Sequence, residues 1–512
     1  GDVYKRQVWA QAAKPSPLSP NNPKLLADSL DSYLSIDKNG NVDVFYGAID
    51  GGQGLETSIA QMVAEELDVP LSSIRMIMGD TRRTLNMGGA SGAQGVSRRG
   101  TSLMKAAALA RQILVQEAAT KFNVKPADLV VKNGVISVRK DPSKKIAYGQ
   151  IIGGKPFRTN VRWNGQWGNP HDIATDAPLK NYKDYELIGQ SPRRTDLPKK
   201  VFGEQDFPGD IRLPGMLHAR MVRPPVAGAV PARVEENSVA HIPGAKIVHI
   251  KDFLAVVAPK EWDAVRALRA VKVTWSQSEP NFPTHREVHN HIRKAKVTQR
   301  TIERENGKLE EGLAKAARII SGEYEYPTHS HASMGPGCAV ADVRADGATI
   351  YTSTQKPHYA ADGIADLLKI PRDSVHVIWM FGTGSYGRND QGDATADAAV
   401  LSQALGKPVR VQWMREESLG WDPKGTAAVN FCKAGIDEKG EVIAYELISR
   451  GFSRENVATN EGRAAATLAG QLLGAKPEPK NSFNIPFASY TFAHNRVGWE
   501  TVAPLMERAS PL

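Results

Sequence analysis

The chain has 512 residues, 41% hydrophobic and 23% charged, the balance of a folded protein with length for several domains. No run approaches the ~18 uninterrupted apolar residues of a membrane span. The net charge of +10 is thinly spread, and the two cysteines, Cys338 and Cys432, exclude a disulfide network and an iron–sulfur cluster held by four thiolates of this chain.

Residues 1–29 read as leader and linker. Ala10-Gln11-Ala12 fits the small-residue pattern of an export cleavage site ahead of a Pro-rich stretch. A periplasmic location is the expectation it carries, with a plain linker in a cytoplasmic protein as the alternative. "SYLSIDKNGNVDVFYGAID" predicts a hairpin turning at Asn39-Gly40. In "ETSIAQMVAEELDV", Ile59, Met62, Val63 and Leu67 recur at helical spacing, and "SSIRMIMGD" alternates as a strand. A Gly-rich loop, Gly88 to Gly100, leads into an Ala-rich helix within "SLMKAAALARQILVQEAATKF". Residues 150–200 are polar and rich in Pro and Gly, as in an excursion between domains. From Phe202, short strands and a helix around Glu261–Ala270 predict a compact α+β unit. His285 to Lys315 is charged and reads as a solvated helical connector, and a second main region begins at Ala316.

One pattern occurs twice. Gln53 follows a strand and precedes a helix, then Pro70, Ser73 and an alternating strand; Gln355, Pro371 and Ser374 repeat the order. Gln to Pro is 17 residues in the first copy and 16 in the second, and Pro to Ser is three in both. We read a duplication that sets a glutamine, both amide donor and carbonyl acceptor, at the same strand-to-helix corner twice.

The string "FGTGSYGRND", from Phe381, contains G-x-G-x-x-G, the pattern of a dinucleotide-binding turn. In such a turn the last glycines open the helix. Here Arg388-Asn389-Asp390-Gln391-Gly392 intervenes, and Glu416, the acid nearest the end of the next strand, lies 29 residues after Gly387. An NAD-linked dehydrogenase is therefore disfavoured. A Gly-rich loop carrying Ser385, Tyr386 and Arg388 remains, able to approach an anion.

Other candidates carry less. His329 and His331 lie two apart without an apparent third metal ligand, and "HREVH", from His285, has its glutamate one place too late for H-E-x-x-H. The basic run "HIRKAKVTQR" lacks interleaved aromatics, so nucleic acid is not expected as a partner.

Taken together, the motifs resemble those of the large, molybdenum-cofactor-binding subunit of the xanthine oxidase/aldehyde oxidase family of molybdenum hydroxylases. Their order is similar to that of the isoquinoline 1-oxidoreductase and nicotinate dehydrogenase branch. The resemblance rests on "GGQGLETSIAQMVAEELDV" with "GDTRRT", "DIRLPGMLHARMVRPP" with "IPGAKIV" and "VKVTW", "HASMGPGCAVADV", "YTSTQKP" and "GTGSYGRNDQGDATADAAVLSQALGKPVRVQWMREE". It implies an α/β multidomain fold: duplicated molybdopterin-binding α/β domains plus a small α/β hammerhead domain. The expected partition is 1–29 leader, 30–150 first molybdopterin-binding segment, 151–200 linker, 201–280 hammerhead, 281–315 connector and 316–512 second molybdopterin-binding region. The implied cofactor is molybdopterin with molybdenum, in its cytosine dinucleotide form. The metal is held by the pterin's sulfurs, so no protein metal ligand is expected.

By the same resemblance, Gln355 matches the glutamine beside the metal's apical oxygen, and Gln53, between Gly52 and Gly54, the glutamine touching the cofactor. Thr383, Gly384, Ser385, Tyr386 and Gly387 match the turn beside the metal, with Arg388 following. Tyr386 and Asp390 are the expected substrate-pocket residues. Ala93 stands where many members have Ser, and Gly335 where many have Glu. The implied reaction hydroxylates an aldehyde or N-heteroaromatic with water, passing electrons to a small [2Fe-2S] subunit and on to an acceptor such as a cytochrome c. The general-base glutamate belongs to a C-terminal segment expected beyond Leu512. A catalytically silent cofactor-binding or assembly paralogue is the alternative.

Overall fold

The computed structural model describes residues 25–279, 282–389, 391–452, 461–476 and 490–503. Its contacts gather into two units, neither continuous in sequence: Gly1–Leu217 with Cys338–Gly384 and Ala394–Gln412, and His218–Gly337 with Ser385–Asp393 and Trp413–Leu512. Among the described residues no helix is long and apolar enough to cross a membrane.

The first unit contains the duplication. Strands Leu34–Ile36 and Val42–Tyr46 form the expected hairpin, with Leu34 opposite Val44. Its turn is held by the Asp37 carboxylate, which accepts the amides of Asn39 and Asn41, and by Gly40 at φ 86°. The chain crosses through the helix Leu55–Leu67 to the strand Ile74–Met78, parallel to Val42–Tyr46. Leu55, Ile59, Val63 and Leu67 recur every four residues and are buried, the stripe that lets a helix cover a sheet. The second helix, Thr101–Phe122, buries Ala106, Ala107, Ala110 and Leu114 in the same core. The second copy repeats the order: hairpin Cys338–Arg344 and Gly347–Thr352, helix Pro357–Leu368, and strand Val375–Trp379 parallel to Gly347–Thr352.

Local geometry matches between the copies. Both crossover helices end in a left-handed residue, Asp68 at φ 54° and Lys369 at φ 56°. Ser73 Oγ donates to the Pro70 carbonyl and Ser374 Oγ to the Pro371 carbonyl, each at 2.7 Å. The spacing repeated in the sequence is thus one hydrogen-bonded turn used twice. The copies also bond to each other. Thr81 N donates to Val377 O at 3.0 Å, Val377 N to Thr81 Oγ1 at 2.9 Å, and Trp379 N to Gly79 O at 3.3 Å. These bonds bring residues near 80 and 377 into one unit and explain why a linear partition does not describe it.

Two stretches differ from expectation. Residues 151–200 fold back on the first unit instead of leaving it. The buried Glu65 carboxylate accepts the amides of Glu186, Leu187 and Ile188 at 3.0, 2.6 and 3.0 Å, and Lys180 Nζ adds a contact at 3.1 Å. Burial alone would raise this carboxyl's pKa, but the amides of Ile188 and Leu187 and the Lys180 ammonium hold it below the ordinary value. The supposed helical connector contains two short helices, Val288–Lys294 and Leu309–Ala314, with the ten-residue strand Val297–Asn306 between them. Exposure alternates along this strand from Val297 to Ile302, the period of a strand, which charge content alone conceals.

The second unit contains the antiparallel strands Lys246–Ile250, Phe253–Ala258 and Leu217–Met221, in that spatial order, with the helix Glu261–Ala270. Val239, Ile242, Leu254, Val256 and Ala267 form its core, as the expected compact α+β pattern requires. It also holds a five-stranded sheet in the order Val297–Asn306, His494–Val502, Val442–Phe452, Ala428–Ile436 and Arg318–Tyr326.

Candidate cofactor site

In the first unit, the turn Gly51–Gly54 is built around Asp50, only 1% exposed. Its Oδ1 accepts the amides of Gly52 and Gly54 at 2.8 and 3.2 Å, and its Oδ2 the amide of Glu56 at 3.0 Å. Gly52 and Gly54 lie at φ 108° and 86°, where a side chain would be strained. A carboxylate of the chain thus already occupies the anion-binding start of the helix Leu55–Leu67. What the turn offers outward is the exposed Gln53. Arg194 braces the turn from the other side: Nη1 donates to Gly52 O at 3.0 Å, while Nη2 pairs with Asp196 at 2.7 Å.

Gln355 is 7% exposed and sits on the other glutamine corner. Its carbonyl accepts the Ala90 amide at 3.0 Å, which ties it to the Gly-rich loop of the first copy. That loop is organised by Arg99, 2% exposed. Arg99 donates to Met87 O at 2.7 Å, Gly89 O at 2.6 Å and Asn169 Oδ1 at 3.1 Å. Lys356 lies along Gly89, where a Cβ would come within 2.3 Å of its Cγ. Gly382 packs on Ser353, with no room for a side chain: a Cβ would lie 2.3 Å from Oγ and 2.4 Å from the Ser353 Cβ. The start of the Thr383–Gly384 turn therefore rests on the strand end that carries Gln355. Gln355, the Ala90 loop and the turn are brought together; Gln53 belongs to a separate turn whose contacts run to Asp50 and Arg194.

In the second unit, Ser385, Tyr386, Gly387 and Arg388 continue the turn. Tyr386 is 63% exposed and left-handed at φ 51°. Gly387, at φ 122°, faces His331, whose Nδ1 would lie 2.5 Å from a Cβ there. Arg388 Nη2 reaches Glu461 Oε1 at 3.0 Å, both side chains buried. Asp390 lies outside the described residues. The helix opens at Gln391, beyond these residues, so the glycines do not start it as a dinucleotide turn requires.

The arrangement suits a large polar cofactor. In the first unit it supplies glycine turns that forbid side chains, two glutamine corners and, among the described residues, the buried Gln94 Oε1 without a partner; in the second unit the buried His331 ring nitrogens are likewise without a partner among the described residues. Among the described residues no group of three or more His, Cys, Asp or Glu is placed to hold a metal ion. Asp50, Arg99 and Arg194 were not singled out from sequence. The first two stand next to glycine runs, the one signal that could have found them.

Comparison with known proteins points to a molybdopterin-binding family. The molybdopterin cofactor-binding domain is matched twice, by residues 288–451 and by residues 13–184. One subunit of the nicotinate dehydrogenase of Pseudomonas putida is 36% identical over 493 residues, covering 93% of this chain and 39% of that protein. The beta subunit of isoquinoline 1-oxidoreductase from Brevundimonas diminuta is 29% identical over 462 residues, covering 83% of this chain and 59% of that protein. The chain thus spans only part of the length of these curated relatives. Quinoline 2-oxidoreductase from Pseudomonas putida 86 is a structural neighbour at TM-score 0.48 and 18% identity, over 63% of this chain and 45% of that one.

Proposed function

Because this chain belongs to the molybdopterin-binding large subunits of the molybdenum hydroxylases, in the nicotinate dehydrogenase and isoquinoline 1-oxidoreductase branch, we propose that it serves an oxidoreductase acting on an N-heteroaromatic or aldehyde. In this reading water supplies the oxygen and molybdopterin cytosine dinucleotide is the cofactor. The observation that carries it is the duplicated glutamine corner, with Gln355 hydrogen-bonded through its carbonyl to Ala90 of the first copy's glycine-rich loop. That bond sets the backbone on which the Gln355 amide is presented, and Arg99 fixes the loop opposite.

When bound, the molybdenum cofactor supplies oxygen transfer to an electron-poor carbon and takes up the electrons. The chain's own residues orient it. Gln355 and Gln53 offer amides that both donate and accept, and the glycines at 52, 54 and 382 keep side chains out of the cofactor's way. Two cysteines cannot hold an iron–sulfur cluster within these 512 residues, which supports a small [2Fe-2S] subunit as electron acceptor, with a cytochrome c beyond it. A periplasmic location belongs to the same proposal and rests on Ala10-Gln11-Ala12.

The test is to express the full-length protein with its small subunit in a host that makes the molybdenum cofactor. One molybdenum per chain, release of cytosine nucleotide on acid hydrolysis, and incorporation of labelled oxygen from water into isoquinoline are expected. Purified protein without molybdenum or pterin would overturn the proposal.

A further inference from the structure

His331 is buried, 6% exposed, against the backbone of the Tyr386 turn, and among the described residues neither ring nitrogen has a partner in good hydrogen-bond geometry. Two residues away, His329 Nδ1 is buried in the same condition. A buried polar group left unpaired is costly, so the His331 ring calls for a partner that the described residues do not supply.

The backbone around His331 supports that conclusion. Ala332 and Tyr386, neither a glycine, are left-handed at φ 47° and 51°. Each is strained relative to ordinary backbone, and such strain gathers where a ligand is held. The two positions flank the contact between His331 and Gly387, where a Cβ on residue 387 would meet Nδ1 at 2.5 Å. The glycine lets the ring lie directly against the turn.

Charge narrows the ligand. The cations that bear on His331 are Arg388 and Lys424. Arg388 pairs with Glu461 and Lys424 with Asp422. With both neutralised, the spot is not built for a phosphate or carboxylate. Burial lowers the proton affinity of the ring; the nearby Tyr386 backbone opposes this only in part, and Arg388 and Lys424 add to it. At neutral pH the ring is therefore the uncharged imidazole, one nitrogen donating and the other accepting. Tyr386, 63% exposed in the adjoining turn, adds an aromatic face.

We propose that His331 is a ligand-binding residue that hydrogen-bonds a neutral, planar nitrogen heterocycle seated against the Tyr386–Gly387 turn. This rests on the function proposed above and deepens it, since both a pterin ring and an N-heteroaromatic substrate have this chemistry. The test uses the full-length protein with its small subunit, carrying H331F, H331M or H331Q. Phenylalanine and methionine fill the space without hydrogen bonds, while glutamine can donate and accept. Molybdenum and pterin content are measured, together with equilibrium binding of isoquinoline.

If the ligand is the cofactor, the apolar variants lose at least half of their molybdenum and pterin. If it is the substrate, they keep the cofactor and bind isoquinoline at least tenfold more weakly. In either case H331Q stays within threefold of the wild type. Apolar variants equal to the wild type in both measurements, or H331Q falling as far as they do, would overturn the inference while a molybdenum-loaded wild type leaves the functional reading standing. A wild type without molybdenum would overturn both.

Discussion

Arg388 and Glu461 form a buried ion pair, Nη2 to Oε1 at 3.0 Å, with side chains 7% and 4% exposed. Residue 392 must be glycine for the carboxylate to reach it, since a Cβ there would lie 2.1 Å from Glu461 Cδ. The pair anchors the end of the turn that carries Tyr386 and Gly387. Breaking a buried ion pair costs up to ~3–5 kcal/mol. E461A is therefore expected to lower the unfolding free energy by up to that amount, read as a lower urea midpoint at unchanged m-value, and E461Q by clearly less. Equal stability of E461A and wild type would refute the role of the pair.

Asp50 makes a sharper prediction, because its two oxygens have different tasks. Oδ1 accepts from Gly52 and Gly54, and Oδ2 from Glu56. In D50N one oxygen becomes an amino group that faces an N–H. The variant keeps part of the turn and loses about 1–3 kcal/mol. Cofactor content should fall with it, because Gln53 rides on that turn. Molybdenum per chain and thermal unfolding measured on the same preparations would show both changes together.

Glycine positions that look alike in sequence should respond differently to alanine. At Gly382 a Cβ meets Ser353 Oγ at 2.3 Å, whereas at Gly440, φ 84°, there is nothing within 4 Å. G440A should cost roughly 1–2 kcal/mol from backbone strain alone and leave cofactor content intact. G382A overpacks the strand end beside Gln355, which costs about 1–3 kcal/mol, and should release cofactor. Cofactor content of the two variants, compared at equal fold stability, separates the two effects.

Acid should loosen the Arg194 brace. Burial would raise the Asp196 carboxyl, but Arg194 and Lys200 outweigh it and bring it down to about 2. A carboxylate whose folded pKa is depressed stabilises the fold above its unfolded value, near ~3.9. That stabilisation is lost as pH falls through about 2. Wild-type stability should therefore drop between about pH 4 and 2, and D196N should be flatter over this window. Hydrogen exchange of the Gly51–Gly54 amides across the same range would locate the loss; identical profiles for the two proteins would rule the brace out.

Much of the fold was legible because its signals are local. The Asn39-Gly40 hairpin follows from two turn residues, and the Leu55–Leu67 helix from Ile59, Met62, Val63 and Leu67 at helical spacing. The duplication showed in the Pro70–Ser73 and Pro371–Ser374 spacing, which the structure resolves into the same hydroxyl-to-carbonyl bond. The misread segment around Val297–Asn306 failed for an equally local reason: strong charge hid an alternation of period two.

What the sequence by itself determined is the inventory of a cofactor-binding protein: two glutamine corners, glycine turns, two cysteines and the order of motifs along the chain. Only the tertiary structure decided how those parts are held. Arg194 reaches Gly52 across 142 residues and Thr81 reaches Val377 across 296. Such pairings carry no spacing signature, because the chain between the partners is free to fold in many ways. The structure also showed that the helix start behind Gly54 is already filled by Asp50. Which polar groups face inward, and which are left to meet a ligand, depends on long-range hydrogen bonds and burial that no local pattern encodes.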